Sequence, residues 1–311
     1  MKIKSTLLSF CLFAGFIGPV SADLDLNFAV DNFCTESPDV EVHDGLYYFL
    51  NNSTPYSGEN LCYYTNGKLY SKGVVTNGHA QGDWFFSRPD GRPIMEGGYI
   101  DGKEDGLWSW WWKNGVKLQE GLFTAGENVG LWTWWWSNGQ KIQEGSYKDG
   151  HEDGIWMWWN EDGKKIQEGG FSSQNQDGKW TWWDETGQLQ KQGTYTDGKE
   201  SGLWKSWNKN GQKTQEGVYV NNVKDGQWSW WFDNGQMMLQ GSFVNGVEDG
   251  TWSWWFDNGQ IMLQGSFVNG VEDGTWAWWH RNGNKEKEAI FQNGENLNGW
   301  TKWSESGEKM N

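Results

Sequence analysis

The sequence has few of the residues from which catalytic and metal sites are usually built. Only 3 of its 311 residues are cysteine and 4 are histidine. The histidines stand in unrelated sequence contexts and do not recur with a common partner. No nucleophile-elbow serine, glycine-rich phosphate loop or metal-spaced cluster of cysteine and histidine is present. The sequence therefore predicts a protein that is not an enzyme and that uses neither a cofactor nor a metal ion.

Positive charge is also scarce. The chain has 25 Lys and Arg residues against 41 Asp and Glu, a formal net charge of −16 at pH 7. Nucleic acids and anionic lipid surfaces are bound mainly through Lys and Arg, so neither is an expected partner. The recurring acidic loops, such as Glu248-Asp249-Gly250, lack the alternating oxygen ligands of a dedicated calcium loop. We interpret them as solvated turns.

The chain has no apolar run long enough to span a bilayer. Its one sustained apolar stretch, Leu7 to Ile17, follows the basic start Met1-Lys2-Ile3-Lys4 and precedes Val20-Ser21-Ala22. This arrangement is typical of a secretory signal peptide. We therefore predict that residues 1–22 are removed near Ala22-Asp23, and that the protein is exported, either to the periplasm or out of the cell, with no integral membrane segment.

Apolar residues at sustained helical spacing are missing as well, so no helix is expected within the array of repeats. Aliphatic residues are few, and the hydrophobic fraction is supplied by 28 Trp, 15 Phe and 10 Tyr, with 44 Gly. Such a composition does not fill a deep aliphatic core. It is suited to a long, twisted, single-layer antiparallel sheet with indoles stacked along its surface.

Ten tryptophans recur at a spacing of 24 residues, and we call them the marker tryptophans. They are Trp84, Trp108, Trp132, Trp156, Trp180, Trp204, Trp228, Trp252, Trp276 and Trp300. A strict period of this length indicates one supersecondary unit copied in tandem. We predict an all-β array of about eleven hairpin repeats over residues 56–311, the first of which lacks its tryptophan, preceded by an N-terminal cap segment at residues 23–55.

Each repeat is predicted to be a β-hairpin. In the repeat that begins at Trp132, the pair Asn138-Gly139 favours a two-residue turn with positive φ. That turn would pair Trp134 with Gln143 and Trp132 with Gly145, and the glycine would leave room for an indole to lie across the backbone. Lys141 would then face Trp136, and Lys117 would face Trp112, at cation–π distance.

Two cysteines remain after removal of the signal peptide, Cys34 and Cys62. An even pair in an oxidising compartment suggests a disulfide bond. Such a bond would tie the cap segment to the first hairpin and protect the exposed edge of the array. Two buried free thiols are the alternative interpretation.

The repeat is similar to that of the MORN-repeat variant family. Gly130-Leu131-Trp132, Trp135, Asn138-Gly139, Glu144-Gly145 and Tyr147-Lys148-Asp149-Gly150 follow its pattern G-x-W-x-x-W-x-x-N-G-x-x-x-x-E-G-x-Y-x-x-G. This resemblance implies a binding or scaffolding sheet, and bacterial members are often labelled antitoxin-module proteins. The chain departs from the family in its export signal and its surplus of tryptophan.

The surplus tryptophans are the candidate binding residues. They are Trp110, Trp111, Trp112, Trp134, Trp135 and Trp136. Other repeats have Asn160 or Asp184 where these have Trp112 and Trp136, so tryptophan is not needed there for folding. The main interpretation of the stacked indoles is that they are this fold's substitute for a core, but exposed aromatic ladders also favour binding. We predict a protein partner first and a cell-envelope glycan second, with a neutralising, antitoxin-like role as a further alternative.

Overall fold

The structure is a computed structural model and describes residues 40–49 and 52–310. The described residues form strands and turns without a helix, and none forms a segment of helix that could cross a bilayer. The predicted signal peptide and Cys34 lie outside the described residues.

The strands follow one another along the chain. They are β1 (Val40–His43), β2 (Leu46–Phe49), β3 (Gly58–Tyr63), β4 (Leu69–Thr76), β5 (His79–Ser87), β6 (Pro93–Ile100), β7 (Lys103–Trp111), β8 (Lys117–Thr124), β9 (Glu127–Trp135), β10 (Lys141–Lys148), β11 (His151–Trp159), β12 (Lys165–Ser172), β13 (Asn175–Trp183), β14 (Leu189–Thr196), β15 (Lys199–Trp207), β16 (Lys213–Val220), β17 (Val223–Trp231), β18 (Met237–Val244), β19 (Val247–Trp255), β20 (Ile261–Val268), β21 (Val271–Trp279), β22 (Lys285–Gln292), β23 (Glu295–Asn296), β24 (Thr301–Trp303) and β25 (Lys309–Met310).

One long antiparallel sheet runs from β3 to β25 in chain order. Each strand from β3 to β22 pairs with its sequence neighbours, β22 also pairs with β24, and β24 pairs with β25. Within the described residues β3 is hydrogen-bonded to β4, and β25 to β24, with no ladder between the two ends. The prediction of tandem hairpins in an elongated antiparallel sheet is confirmed.

The turn after each tryptophan-rich strand is not the predicted two-residue turn. The Trp136 N–H donates to the Gln140 carbonyl at 2.7 Å, and the Gly139 N–H donates to the Trp136 carbonyl at 2.9 Å. Only the glycine of this loop has a positive φ, 88°. Residues 137–139 therefore form a three-residue loop, which adds one residue to the predicted hairpin.

A bulge in the returning strand compensates for that extra residue. Trp135 pairs with Lys141 instead of Ile142, and the register then shifts before the next pair. Trp134 consequently pairs with Gln143, and the pairing of Trp132 with Gly145 is also as predicted. The prediction was wrong at the turn and right in the body of the hairpin because the two irregularities cancel.

Asparagine suits this turn because of its side-chain hydrogen bonds and not because its backbone has a positive φ. The Asn138 Oδ1 accepts a hydrogen bond from the Gln140 N–H at 2.9 Å, and its Nδ2 donates to the Glu161 carbonyl of the next repeat at 2.8 Å. Equivalent inter-repeat bonds are donated by Asn66, Asn114, Asn234, Asn258 and Asn282. These bonds join the turns along one edge of the sheet.

The two-residue turn with two positive φ values lies at the other edge, between repeats. Asp149 and Gly150 have φ of 52° and 75°, and they connect the pair Lys148 and His151. This is the geometry of a type I′ turn, which matches the twist of the flanking strands. The glycine two residues before nine of the ten marker tryptophans has a different role: Gly154, with φ of 75°, opens a bulge opposite Gly145.

A short hairpin, β1–β2, covers the N-terminal end of the sheet. The Tyr47 ring lies 5.8 Å from the Trp84 ring, and its backbone N–H donates to the Gly78 carbonyl at 2.9 Å. Cys62 is buried and disulfide-bonded. Its partner lies outside the described residues, so the pairing with Cys34 stays a prediction.

Candidate binding faces of the sheet

One face of the sheet bears a continuous stack of rings, and we call it the aromatic face. It is formed by the marker tryptophans, the tryptophans two residues after them and the Tyr or Phe of the returning strand. The Trp132 and Trp134 rings stack at 5.7 Å, and Trp134 lies 5.8 Å from Trp156 of the next repeat. The stack passes without interruption through Trp108, Trp110, Trp132, Trp134, Trp156, Trp158, Trp180, Trp182 and Trp204.

Nine of the ten marker indoles are buried because each of them lies across a glycine of the preceding strand. Trp156 is 1% exposed, and a Cβ on Gly145 would come within 2.0 Å of its Cδ2 atom. The Trp156 Nε1–H donates to the adjacent Ser146 carbonyl at 3.2 Å. Space for an indole was predicted at this glycine, but the indole that fills it belongs to the next repeat and not to the paired Trp132.

The last repeat contains a natural exception to this packing. Ala289 stands where the other repeats have the glycine, and Trp300 is the marker tryptophan that would lie across it. Trp300 is 43% exposed, whereas the other nine marker tryptophans are 0–4% exposed. This repeat also has Asn298 in place of the bulge glycine, so both local features needed for insertion of the indole are missing.

The opposite face, which we call the Lys–Glu face, is lined by ion pairs over indoles. Lys141 pairs with Glu144, whose carboxylate also accepts from the Thr133 hydroxyl at 3.1 Å. The Lys141 Nζ lies 5.5 Å from the Trp159 ring centroid, and Lys117 lies similarly over Trp135. The predicted contact with Trp136 was wrong, because the lysine reaches across to the next repeat and not along its own hairpin.

The six candidate tryptophans do not form a single patch. Trp110 and Trp134 lie in the stack of the aromatic face, whereas Trp111 and Trp135 lie on the Lys–Glu face. Trp112 and Trp136 begin the turns. Trp112 is 8% exposed, and its Nε1–H donates to the Trp135 carbonyl at 2.8 Å.

Sequence reasoning missed that the side chain of the residue that begins the turn contacts the next repeat. Arg88 occupies the position of Trp112 one repeat earlier, and its Nη2 donates to the Trp111 carbonyl at 2.9 Å. His280, at the same position in a later repeat, lies 3.2 Å from the Trp303 carbonyl. Three different side chains thus make one contact, and only the common 23-residue separation of the partners could have revealed it.

Lysines enter the aromatic face at three places. The Lys224 Nζ lies 4.6 Å from the Trp228 ring centroid, 5.1 Å from Trp230 and 5.2 Å from Phe243. Lys191 lies 4.4 Å from Trp204 and forms an ion pair with Glu200. Lys287 lies over Trp278 and Trp300. The face therefore accommodates ammonium groups against its rings.

Glutamates occupy the repeat position of Lys224 elsewhere on the aromatic face. They are Glu104, Glu152, Glu200, Glu248 and Glu272. Burial raises the pKa of the Glu152 carboxyl above its usual value. A raised pKa in the folded state means that folding favours the neutral form, so ionisation of Glu152 lowers stability as the pH rises through its folded pKa.

We accordingly expect Glu152→Gln to raise the free energy of unfolding at neutral pH. The gain should shrink as the pH is lowered below the pKa of an unfolded glutamate, about 4.3, because the wild-type side chain is then also neutral. Urea unfolding of both proteins at several pH values measures this. Glu161→Gln, at an exposed turn, is the control. An equal gain at all pH values would contradict the assignment.

A row of exposed valines lies at the type I′ turns of three consecutive repeats. By strand alternation it belongs to the Lys–Glu face, since Val244 follows Phe243 of the aromatic face. The row consists of Val220, Val223, Val244, Val247, Val268 and Val271, each 40–52% exposed. Other repeats have Thr124, Lys148 or Thr196 at the position of Val244, so the fold does not require an apolar residue there.

Two of these repeats, those of Val244 and Val268, lack the ion pairs of the Lys–Glu face, whereas the strand of Val220 keeps the pair of Lys213 with Glu216. Met237 and Ile261 stand at the position of Lys141, and Gln240 and Gln264 stand at the position of Glu144. The amides bond to hydroxyls instead, as between Gln240 and Ser229 at 3.1 Å. Together with the valines, this gives an apolar surface on one side of the sheet.

No constellation suited to metal binding occurs in the described part of the chain, where no three His, Cys, Asp or Glu side chains come together. A comparison with curated proteins finds no match. Two solved structures, described as "Crystal Structure of TcdB2-TccC3-Cdc42" and "Crystal Structure of TcdB2-TccC3-TEV", match 81% of this chain at 10% identity, with TM-scores of 0.19 and 0.18. The chain spans 16% of the length of the chains it matches, and similarity this weak carries no argument.

A family match agrees with the repeat geometry. The pattern described as "MORN repeat variant" matches residues 56–77, 104–125, 128–149, 176–197, 200–221, 224–245, 248–269 and 272–293. The matched segments are in phase with the hairpins and together cover more than half of the chain. The chain belongs to the MORN repeat variant family.

Proposed function

We propose that the protein is an exported, non-enzymatic scaffold that binds a protein partner through its sheet. The observation that supports this most strongly is the valine row. Six apolar side chains are exposed at positions where the other repeats of the same fold, apart from Ile100, have polar ones. Exposed apolar patches of this kind mark interaction surfaces, and Trp255 and Trp279 of the same face would supply aromatic anchors.

A glycan is the second candidate ligand, and the geometry gives it less support. Gln143 and Glu144 are the amide and acidic side chains beside the tryptophans that could bond to sugar hydroxyls. The Gln143 Oε1 already accepts the Trp158 Nε1–H at 3.0 Å, and Glu144 lies on the other face in its pair with Lys141. A sugar stacked on the aromatic face would therefore have to displace existing hydrogen bonds.

Site-specific photo-crosslinking in the native organism tests the proposal. A photoreactive residue in place of Val244 is expected to give a covalent adduct with one defined protein. The same residue in place of Thr196, at the equivalent position outside the valine row, should give none. The double change Val244→Thr and Val268→Thr, using a residue that the array already has there, should abolish the adduct from position 247 without unfolding the chain.

Three results would contradict the proposal. Equal labelling from positions 196 and 244 would show non-specific contact, and an adduct that survives the double change would place the partner elsewhere. A saturable change of tryptophan fluorescence on titration with peptidoglycan fragments or glucans, without any protein adduct, would favour the glycan. The identity of a crosslinked partner also decides the antitoxin-like alternative, because a toxin would have to be recovered.

A further inference from the structure

Lys224 shows what the aromatic face can bind. Its ammonium group lies within 5.2 Å of the centroids of Trp228, Trp230 and Phe243. Those three rings are 5.7, 6.4 and 6.5 Å apart, so they form a triangle beneath the charge. Attraction between a cation and several aromatic rings stabilises this arrangement, and Lys224 has no carboxylate partner among residues 40–49 and 52–310.

The same triangle of rings recurs where the lysine is replaced by glutamate. Beside Glu152, the rings of Trp156, Trp158 and Phe171 are separated by 6.0, 6.0 and 6.4 Å. Beside Glu104, the equivalent three rings are separated by 5.5, 6.3 and 6.3 Å. The arrangement of three rings therefore recurs in these repeats, but no lysine ammonium group lies over them.

The glutamate is suited to complete such a site. Its carboxylate oxygens end one bond short of where a lysine Nζ ends. Trp156 is 1% exposed, so a cation from outside would reach the rings through the half-buried Trp158 and Phe171. Burial raises the pKa of the Glu152 carboxyl, and no charged neighbour among the described residues offsets that effect. An incoming cation would supply the missing charge and gain both the ion pair and the ring contacts.

We propose that the glutamate-bearing triangles of the aromatic face bind alkylammonium groups, with Glu152 and Glu104 at the best-formed sites. Equivalent glutamates with the same pair of tryptophans are Glu248 and Glu272. The ligand class is a lysine side chain or a small quaternary ammonium compound, which share this chemistry. The sites lie on the face opposite the valine row, so they do not depend on the protein partner proposed above.

Tryptophan-selective 15N labelling of the full mature chain gives one indole N–H signal for each ring, and these signals can be assigned by single Trp→Phe changes. We expect choline chloride to shift the Trp156 and Trp158 signals saturably, with a dissociation constant on the order of millimolar for one ammonium group. The neutral isostere 3,3-dimethylbutan-1-ol should bind at least about tenfold more weakly, because it lacks the charge. Nα-acetyl-lysine amide, compared with choline, distinguishes a primary from a quaternary ammonium ligand.

The decisive variants exchange lysine and glutamate at the repeat position of Lys224. Glu152→Lys should place an ammonium group over its own rings and abolish the response of Trp156 and Trp158. Lys224→Glu should make Trp228 and Trp230, which are silent in the wild type, respond to choline. Lys209→Glu has the same charge change at an exposed turn and should leave every signal as in the wild type.

Equal shifts with the neutral isostere would overturn the proposal, because the site would then be merely apolar. A folded Lys224→Glu protein whose Trp228 and Trp230 signals ignore choline would also overturn it. Unchanged dispersion of the remaining indole signals shows that each variant is folded. A negative result would not affect the proposal that a protein partner binds the valine row, because the crosslinking experiment tests the opposite face of the sheet.

Discussion

Replacing Gly145 with alanine is expected to lower the free energy of unfolding by roughly 3–5 kcal/mol, as much as removal of a buried tryptophan side chain. The added Cβ would lie 2.0 Å from the Trp156 Cδ2 atom. Neither the backbone nor the stacked indole can move that far, so the ring must leave its place. Trp300, which faces Ala289 and also lacks the bulge glycine, is exposed in the same way within the molecule.

A double-mutant cycle separates this steric effect from the ordinary effect of alanine in a strand. Once Trp156→Ala has removed the ring, adding Gly145→Ala should cost little or nothing, since the space is empty. Urea unfolding of the four proteins gives the coupling free energy. Additive losses, with no coupling between the two sites, would mean that the glycine does not serve to admit the indole.

Excision of one whole repeat should be tolerated, and excision of half a repeat should not. Removing residues 232–255 joins Trp231 to Phe256, and the next copy differs from the lost one at only two positions. Each hairpin contacts mainly its neighbours, so the shortened chain keeps its strand alternation, its stacked indoles and a cooperative transition.

Removing residues 232–243 instead deletes most of β18 and leaves β17 next to β19. Both strands run antiparallel to β18, so they are parallel to each other and cannot be joined by a tight turn. We expect a loss on the order of 5 kcal/mol or more, from an unpaired ladder at about 1 kcal/mol for each hydrogen bond. Thermal melts compare the two deletions, and similar losses would contradict a tandem array of hairpins.

The hairpin array could be predicted because its signals are local and repeated. A period of 24 residues, strand-forming tryptophans and turn residues at constant offsets all indicate the same unit. The turn type could not be predicted, because Asn-Gly suits both a type I′ turn and a three-residue loop that ends in a glycine. The same three-residue loop also forms between Asp184 and Gln188, where Thr186 replaces the asparagine, so the Asn-Gly pair does not select it.

The contacts between repeats account for the other differences from the prediction. Trp156 lies over Gly145, Lys141 over Trp159 and Trp112 beside the Trp135 carbonyl, each one repeat beyond the pairing within a hairpin. Strand pairing predicts neighbours across a ladder but not how far a long side chain reaches along it. The valine row was missed for another reason, because the sequence does not show that these six side chains are exposed.

Hydroxyl-radical footprinting, with oxidation measured by mass spectrometry at each tryptophan, tests most directly whether the marker indoles are buried scaffold inserted over glycines. The account predicts strong protection of Trp108, Trp156 and Trp228, which are 0–2% exposed, and rapid oxidation of Trp300, which is 43% exposed. Gly145→Ala should transfer Trp156 from the first group to the second. Oxidation of these marker tryptophans as fast as Trp300 in the unmodified protein would contradict the account.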